Sequence, residues 1–223
     1  MPVDPNAAAE IVAFEWVPDF ARTYVRDVRV RWALEEAGIP YRTRLISALE
    51  RPRAYFEEQP FGQVPAFRDG TVEIFESGAI VLYIGEDSER LLPRDAAARA
   101  RAVTWVIASL NSVEPFLMEL VVIDQFCKGE EWTQARRPAV VETIRTRLGR
   151  LSDALGGRDY LEREFTAGDL MMASVLRNLD HTELLAEFPN LAAYQKRCLG
   201  RSAYQAAVAA QCADFKKDAP ISA

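Results

Sequence analysis

The chain has 223 residues, 49% of them hydrophobic and 27% charged, with a formal net charge of −6. That length accommodates one large core or two modest ones, and the acidic balance excludes the basic stripe that nucleic-acid backbones require. No apolar run approaches the ~18 residues of a membrane span, and residues 1–10, with two prolines and no Lys or Arg, are expected as a loose tail rather than a targeting segment.

Residues 11–17 alternate and are rich in β-branched and aromatic side chains, which predicts a first strand. A polar loop with Pro18 and Asp19 follows. From about Tyr24 the spacing of Val25, Val28, Trp32, Ala33 and Ala37 predicts a helix that stops near Gly38, with Pro40 just beyond. Residues 41–46 alternate again as a second strand, and 53–58 read as a short helix. Then comes Phe61-Gly62-Gln63-Val64-Pro65-Ala66-Phe67. A proline in such a run cannot donate to a ladder, so it belongs at a strand start, at an edge, or in a cis bond. Val64 is thereby left with backbone groups able to pair with an extended, peptide-like ligand. Asp69-Gly70 predicts a hairpin turn and 71–75 the returning strand. Glu76-Ser77 opens a helix whose apolar residues Ile80, Leu82, Tyr83 and Ile84 follow at once. Its unpaired N–H groups and partial positive charge suit a carboxylate, Ser77 adds a hydroxyl, and Glu76 suits an ammonium. A ligand that is peptide-like in the middle and zwitterionic at one end fits both pieces. The order strand, helix, strand, helix, strand, strand, helix predicts a thioredoxin-like arrangement without a CxxC.

Around residues 87–96 the pattern breaks at Leu91-Leu92-Pro93, the expected linker. The remainder, 97–223, reads as all-helical. Val103, Val106, Ile107, Leu110, Val113, Leu117 and Leu120 form one stripe, and Val140, Val141, Ile144, Leu148, Leu151 and Leu155 another that ends at Gly156-Gly157. Trp105, Phe116 and Phe126 fall on the first long helix, where their helical periodicity favours the core over a pocket lining. Thr166-Ala167-Gly168-Asp169 has the spacing of a capping box. The three cysteines at 127, 198 and 212 have no CxxC spacing and are expected as reduced thiols, Cys198 and Cys212 packed as small hydrophobes. His181, the single histidine, excludes a multi-histidine metal site and is expected at a helix end, where the dipole favours it.

Four segments together resemble the cytosolic glutathione transferase superfamily over nearly the whole chain. They are Ala33-Leu34-Glu35-Glu36-Ala37-Gly38-Ile39-Pro40-Tyr41, Gln59-Pro60-Phe61-Gly62-Gln63-Val64-Pro65, Glu76-Ser77-Gly78-Ala79-Ile80, and Thr166-Ala167-Gly168-Asp169. The resemblance implies an α/β plus all-α chain: an N-terminal thioredoxin-like domain over 11–86, a linker over 87–96, and a C-terminal helical bundle over 97–223. It implies glutathione as cosubstrate with no metal. Pro65 would be cis, Val64 would pair with the cysteinyl backbone, and Glu76 with Ser77 would hold the γ-glutamyl end. Gln63, with Arg53 or Arg51, would meet the glycyl carboxylate. Asp169 would be a structural cap. It further implies a cytoplasmic homodimer with a small hydrophobic electrophile as second substrate, and neither nucleic acid nor membrane as partner.

The sequence departs from the family where the thiol is activated. Lowering a thiol pKa from ~8.5 by about two units corresponds to roughly 2.7 kcal/mol of preference for the anion. Counting back from Gly38 places Tyr24 at the activating position, after a loop longer than the family norm. Three readings stand open: Tyr24 donates to the thiolate; Thr23 does so with Arg22 adding charge; or no side chain fills the role and Tyr24 packs on the helix start. No cysteine lies between Ile11 and Gly38, which disfavours mixed-disulfide chemistry. The activity implied is addition of the thiolate to an electrophilic carbon; a glutathione-dependent isomerase or dehalogenase, and a non-catalytic binding protein, are the alternatives.

Overall fold

The computed structural model describes residues 3–216, which fall into two compact units, one of residues 3–91 with 201–216 and the other of 92–200. In the first, β1 (Ala9–Phe14) pairs in parallel with β2 (Tyr41–Ile46) through α1 (Asp27–Ala37). β3 (Ala66–Arg68) runs antiparallel to β1, and β4 (Glu73–Phe75) antiparallel to β3, giving the order β2-β1-β3-β4. The short α2 (Tyr55–Glu58) precedes β3, and α3 (Ser77–Gly85) follows β4. This is the thioredoxin-like topology, and the stop of α1 obeys local chemistry: Gly38 takes φ 69°, a left-handed conformation glycine adopts without a Cβ penalty. The first strand starts two residues earlier than its alternation suggests. Residues 3–10 are not a loose tail: Asp4 N–H donates to Tyr41 C=O at 2.8 Å, and the buried Glu10 pairs with Arg42, Arg44 and Arg68.

Alternate residues of β1 face two layers. Val12 joins Ile46, Tyr55, Val64 and Ala66 in one apolar cluster, against which Phe14 and Val25 pack. α1 packs on α3 and on α9 (Ser202–Asp214), the last helix. That helix belongs with the first unit rather than with the helical region to which 97–223 points. Helical periodicity says that a segment is a helix, not which core receives its apolar face.

The second unit contains α4 (Ala96–Ala108), α5 (Glu114–Val121), α6 (Glu131–Leu155), α7 (Ala167–Leu176) and α8 (Pro189–Leu199). Asp95 caps α4, accepting from Ala98 N–H at 2.8 Å, which places the helix start at the end of the expected linker. A π-helical turn, Ser109–Val113, joins α4 to α5, and a second, Val122–Phe126, extends α5, giving one run, Ala96–Phe126. That run is long and apolar enough to cross a membrane, contrary to the sequence expectation, and core helices of globular proteins meet the same test. Its buried residues are Ala102, Val106, Ser109, Val113, Glu114, Leu117, Leu120 and Ile123, whereas Ile107 is exposed. Each π turn inserts a residue, so the buried stripe changes phase along the sequence.

All six apolar residues of the second stripe are buried on α6. At α7, Thr166 and Asp169 form the anticipated capping box, and the Asp169 carboxylate also accepts from Leu161 N–H at 2.8 Å and Tyr194 O–H at 3.1 Å. Gly168 permits the close approach of α4: a Cβ there would stand 2.5 Å from Trp105 Cβ. Two side chains differ from expectation: Phe126 is 60% exposed, and Cys212 is exposed rather than packed. His181 follows Asp180, which ends the 3₁₀ turn after α7, and its Nε2 lies 3.3 Å from Asp124. Trp105 and Phe116 are half-buried, the first donating to Glu162 and the second lying under Arg147.

Candidate functional site

The Val64–Pro65 peptide bond is cis. Val64 is buried, and among the described residues its N–H and C=O have no backbone partner, since the β3 ladder begins only at Ala66. Three side chains outside the motif hold the loop that presents it. Gln59, 2% exposed, accepts through Oε1 from Phe61 N–H at 2.7 Å and Gln63 N–H at 3.2 Å. Tyr55 O–H donates to Gln63 C=O at 2.6 Å, and Arg51 Nε donates to Gly62 C=O at 2.7 Å. Burial holds the Tyr55 phenol well above its ordinary pKa, so it remains a donor. Gly62 takes φ 64°, and a Cβ there would lie 2.7 Å from the Phe56 ring. Arg51 is thus turned into the loop. Gln63 and Arg53 are both exposed, Arg53 on the turn before α2.

The second piece is the start of α3. Glu76 is exposed and takes φ 70° with ψ 115°, and no side chain caps the first N–H groups of the helix. Ser77 is buried, its Oγ accepting from Arg29 Nη1 at 3.4 Å, and Arg29 is itself buried on α1. The third piece is the connection from β1 to α1. Thr23 has φ 68°, and Tyr24 is 40% exposed with its N–H donating to Ala21 C=O. Arg22 pairs with Asp19 at 3.2 Å, donates to Lys216 C=O at 3.1 Å, and lies 5.8 Å from the centre of the Phe215 ring.

These three pieces converge within the first unit. Val25, next to Tyr24, packs on the cluster that contains Val64, and Arg29, on the first turns of α1, reaches Ser77. Among the described residues, Thr23 and Glu76 are the two non-glycine positions with positive φ. Such conformations cost of order 1–2 kcal/mol and persist where the surroundings over-determine them, which is common at functional sites. A separate cleft of about 420 Å³ in the same unit is lined by Glu36, Arg90 and Arg201 and contains none of these residues. No three His, Cys, Asp or Glu side chains among the described residues come together as a metal centre requires.

A sequence profile described as glutathione S-transferase, N-terminal domain, matches residues 21–86, which include Thr23, Tyr24, Val64, Pro65, Glu76 and Ser77. Among curated proteins, glutathione S-transferase F10 of Arabidopsis thaliana is 27% identical over 173 residues, covering 74% of this chain and 79% of the relative. Glutathione S-transferase 3 of Zea mays is 29% identical over 199 residues, covering 82% and 88%. A glutathione transferase from Burkholderia graminis, solved with two glutathione molecules bound per subunit, is 25% identical, covers 90% of this chain and 87% of that one, and superposes with a TM-score of 0.79. The N-terminal domain match, the curated relatives and the solved structure together support membership of the glutathione S-transferase superfamily.

Sequence motifs do not reveal the inward contacts of Gln59, Tyr55, Arg51 and Arg29; Arg51, a candidate for the glycyl carboxylate by resemblance, donates to Gly62 C=O. Each acts through a contact with the loop before Pro65 or with Ser77. Gln59 and Tyr55 lie in and beside a recognisable segment, but only the folded loop shows that their polar atoms turn inward. Arg29 carries no local signal: a charged residue on a helix reads as solvated until the packing buries it.

Proposed function

We propose that this chain binds glutathione through Val64, Pro65, Glu76, Ser77 and Gln63 and adds its thiolate to a small hydrophobic electrophile. The observation that carries the reading is the pairing of an unpartnered Val64 backbone beside a cis proline with the uncapped start of α3 at Glu76 and Ser77. An extended peptide has a strand edge to join at the first, and an α-amino acid end has N–H groups, a hydroxyl and a carboxylate at the second. The names of the relatives and the ligand of the Burkholderia graminis structure support the same ligand. Arg53, exposed before α2, is assigned to the glycyl carboxylate as a solvated charge.

Thiol activation belongs to the Arg22-Thr23-Tyr24 turn at the entrance of α1. A hydroxyl donor, the helix N-terminus and the Arg22 charge are together of the size needed for the roughly 2.7 kcal/mol of a two-unit pKa shift. Catalysis is then charge stabilisation and positioning of one nucleophile. We assign the chain to the cytoplasm as a homodimer. Retention on glutathione-agarose followed by a chlorodinitrobenzene conjugation assay tests the reading. Retention with turnover lost in Tyr24→Phe assigns the donor to Tyr24, and loss in Thr23→Val instead moves it next door. Retention without conjugation favours an isomerase, a dehalogenase or a binding protein, and absence of retention sinks the glutathione reading.

A further inference from the structure

The last described residues of the chain return to the connection that carries Thr23 and Tyr24. Gln211, on α9 and 1% exposed, donates through Nε2 to Val25 C=O at 3.1 Å and to Asp27 Oδ1 at 2.7 Å. Both amide protons are thus used, and a flipped amide would set oxygen against two acceptors. Asp27 also accepts from Arg31 Nε at 2.8 Å, and Arg31 Nη2 reaches Asp214 at 2.6 Å. Burial opposes the Arg31 charge, but Asp27 and Asp214 outweigh it and hold the guanidinium protonated. Beyond the helix, Phe215 lies under Arg22, Lys216 C=O accepts from Arg22, Lys216 N–H donates to Glu15 C=O at 2.8 Å, and Lys216 Nζ pairs with Glu15 at 2.5 Å. Residues 211–216 therefore fasten positions 15, 22, 25, 27 and 31, on both sides of Thr23 and Tyr24.

We propose that Gln211, Asp214, Phe215 and Lys216 form a strap whose role is to position the thiol-activating turn. The inference rests on the glutathione reading for what that turn does. Three observations point beyond simple stability. Residues 15–26 hold only one short 3₁₀ turn, Asp19–Ala21, and connections of this kind open at low free energy unless tied. Thr23 is β-branched at φ 68°, a conformation that relaxes once the flanks are released. Gln211 Oε1 is buried with no partner among the described residues, so the side chain contributes little to stability beyond the two bonds it donates to Val25 and Asp27. Among the described residues, the strap's hydrogen bonds, ion pairs and ring contact go to positions 15, 22, 25, 27 and 31 rather than to Val64, Glu76 or Ser77, so the glutathione-holding groups stay in place when it is loosened.

Two full-length variants test this, Gln211→Leu, which keeps the packing volume but removes both donors, and Lys216→Pro, which removes the bond and the ion pair to Glu15 at a largely exposed position. Amide exchange in residues 18–26 is expected to accelerate about tenfold or more in both, with residues 59–77 unchanged. The pH midpoint of the bound glutathione thiolate, read by its ultraviolet absorbance, rises by half a unit or more, while the glutathione Kd stays within about twofold. An unchanged exchange pattern in 18–26, or a Kd that weakens in step with turnover while the thiolate midpoint stays fixed, overturns the proposal. Should the unmodified chain not bind glutathione, the functional reading fails and the exchange measurement alone decides for or against the strap. Should Gln211→Leu not fold, Lys216→Pro, which leaves the buried cluster intact, decides.

Discussion

Replacing Asp169 by Ala removes the acceptor from four buried donors at once. Leu161 N–H stands 2.8 Å, Thr166 N–H 2.9 Å and the Thr166 hydroxyl 3.2 Å from its carboxylate, and Tyr194 O–H stands 3.1 Å away. Leu161, Thr166 and Tyr194 are all at most 2% exposed, so water does not replace the lost partner without opening the structure. Each orphaned buried donor costs about 1–3 kcal/mol, and loss of the helix cap falls within the same sum. Tyr194 keeps a poor alternative in Asp169 C=O at 3.5 Å, which brings the expected loss to about 4 kcal/mol. For a chain of this size that lowers the melting temperature by roughly 8–16 °C. Asp169→Asn keeps one acceptor oxygen but aims an NH₂ at existing donors, so about half the loss is expected. Circular dichroism melts give the shift, and turnover per folded molecule at low temperature checks that the side chain is structural. A shift below ~3 °C for Asp169→Ala, or lost turnover in fully folded protein, refutes the reasoning.

Glu76→Gly relieves a backbone conformation that L side chains rarely adopt, so the free protein is expected to gain about 0.5–1 kcal/mol while the KM for glutathione rises tenfold or more; an unchanged KM counts against the assigned role. Glu36 accepts from Arg201 at 2.5 and 2.8 Å and from Trp32 at 3.1 Å, and although burial opposes its charge, Arg201 holds its carboxyl below the ordinary value of 4.5. A depressed folded pKa contributes stability above the unfolded value and loses it as the pH falls through the folded one. Glu36→Gln therefore melts lower at neutral pH, by about 2 kcal/mol, and loses less than the unmodified chain when melts are repeated below pH ~4.5; parallel acid limbs refute this.

What the sequence determined by itself is local in origin. Gly38, Asp69-Gly70 and the Thr166-to-Asp169 box act within one turn of chain, so their chemistry is written in adjacent residues and the structure reproduces it. The same local origin holds for Val64-Pro65 and Glu76-Ser77: the proline break and the helix start announced by two short segments across one hairpin are both present in the fold. Periodicity likewise yields the strands, the helices and the two-part architecture, but it fails where a π turn shifts the phase of Ala96–Phe126 and leaves Ile107 and Phe126 outside the core. Tertiary structure alone decided which groups lie between distant parts of the chain. It turned Gln59, Tyr55 and Arg51 into the loop before Pro65, brought Arg29 to Ser77, and returned Gln211 across 184 positions to Asp27. A polar side chain on a helix reads as solvated in sequence because exposure is the default for a charge or an amide. Whether it is buried and paired depends on a partner that folding supplies, and neighbouring residues carry no trace of that partner.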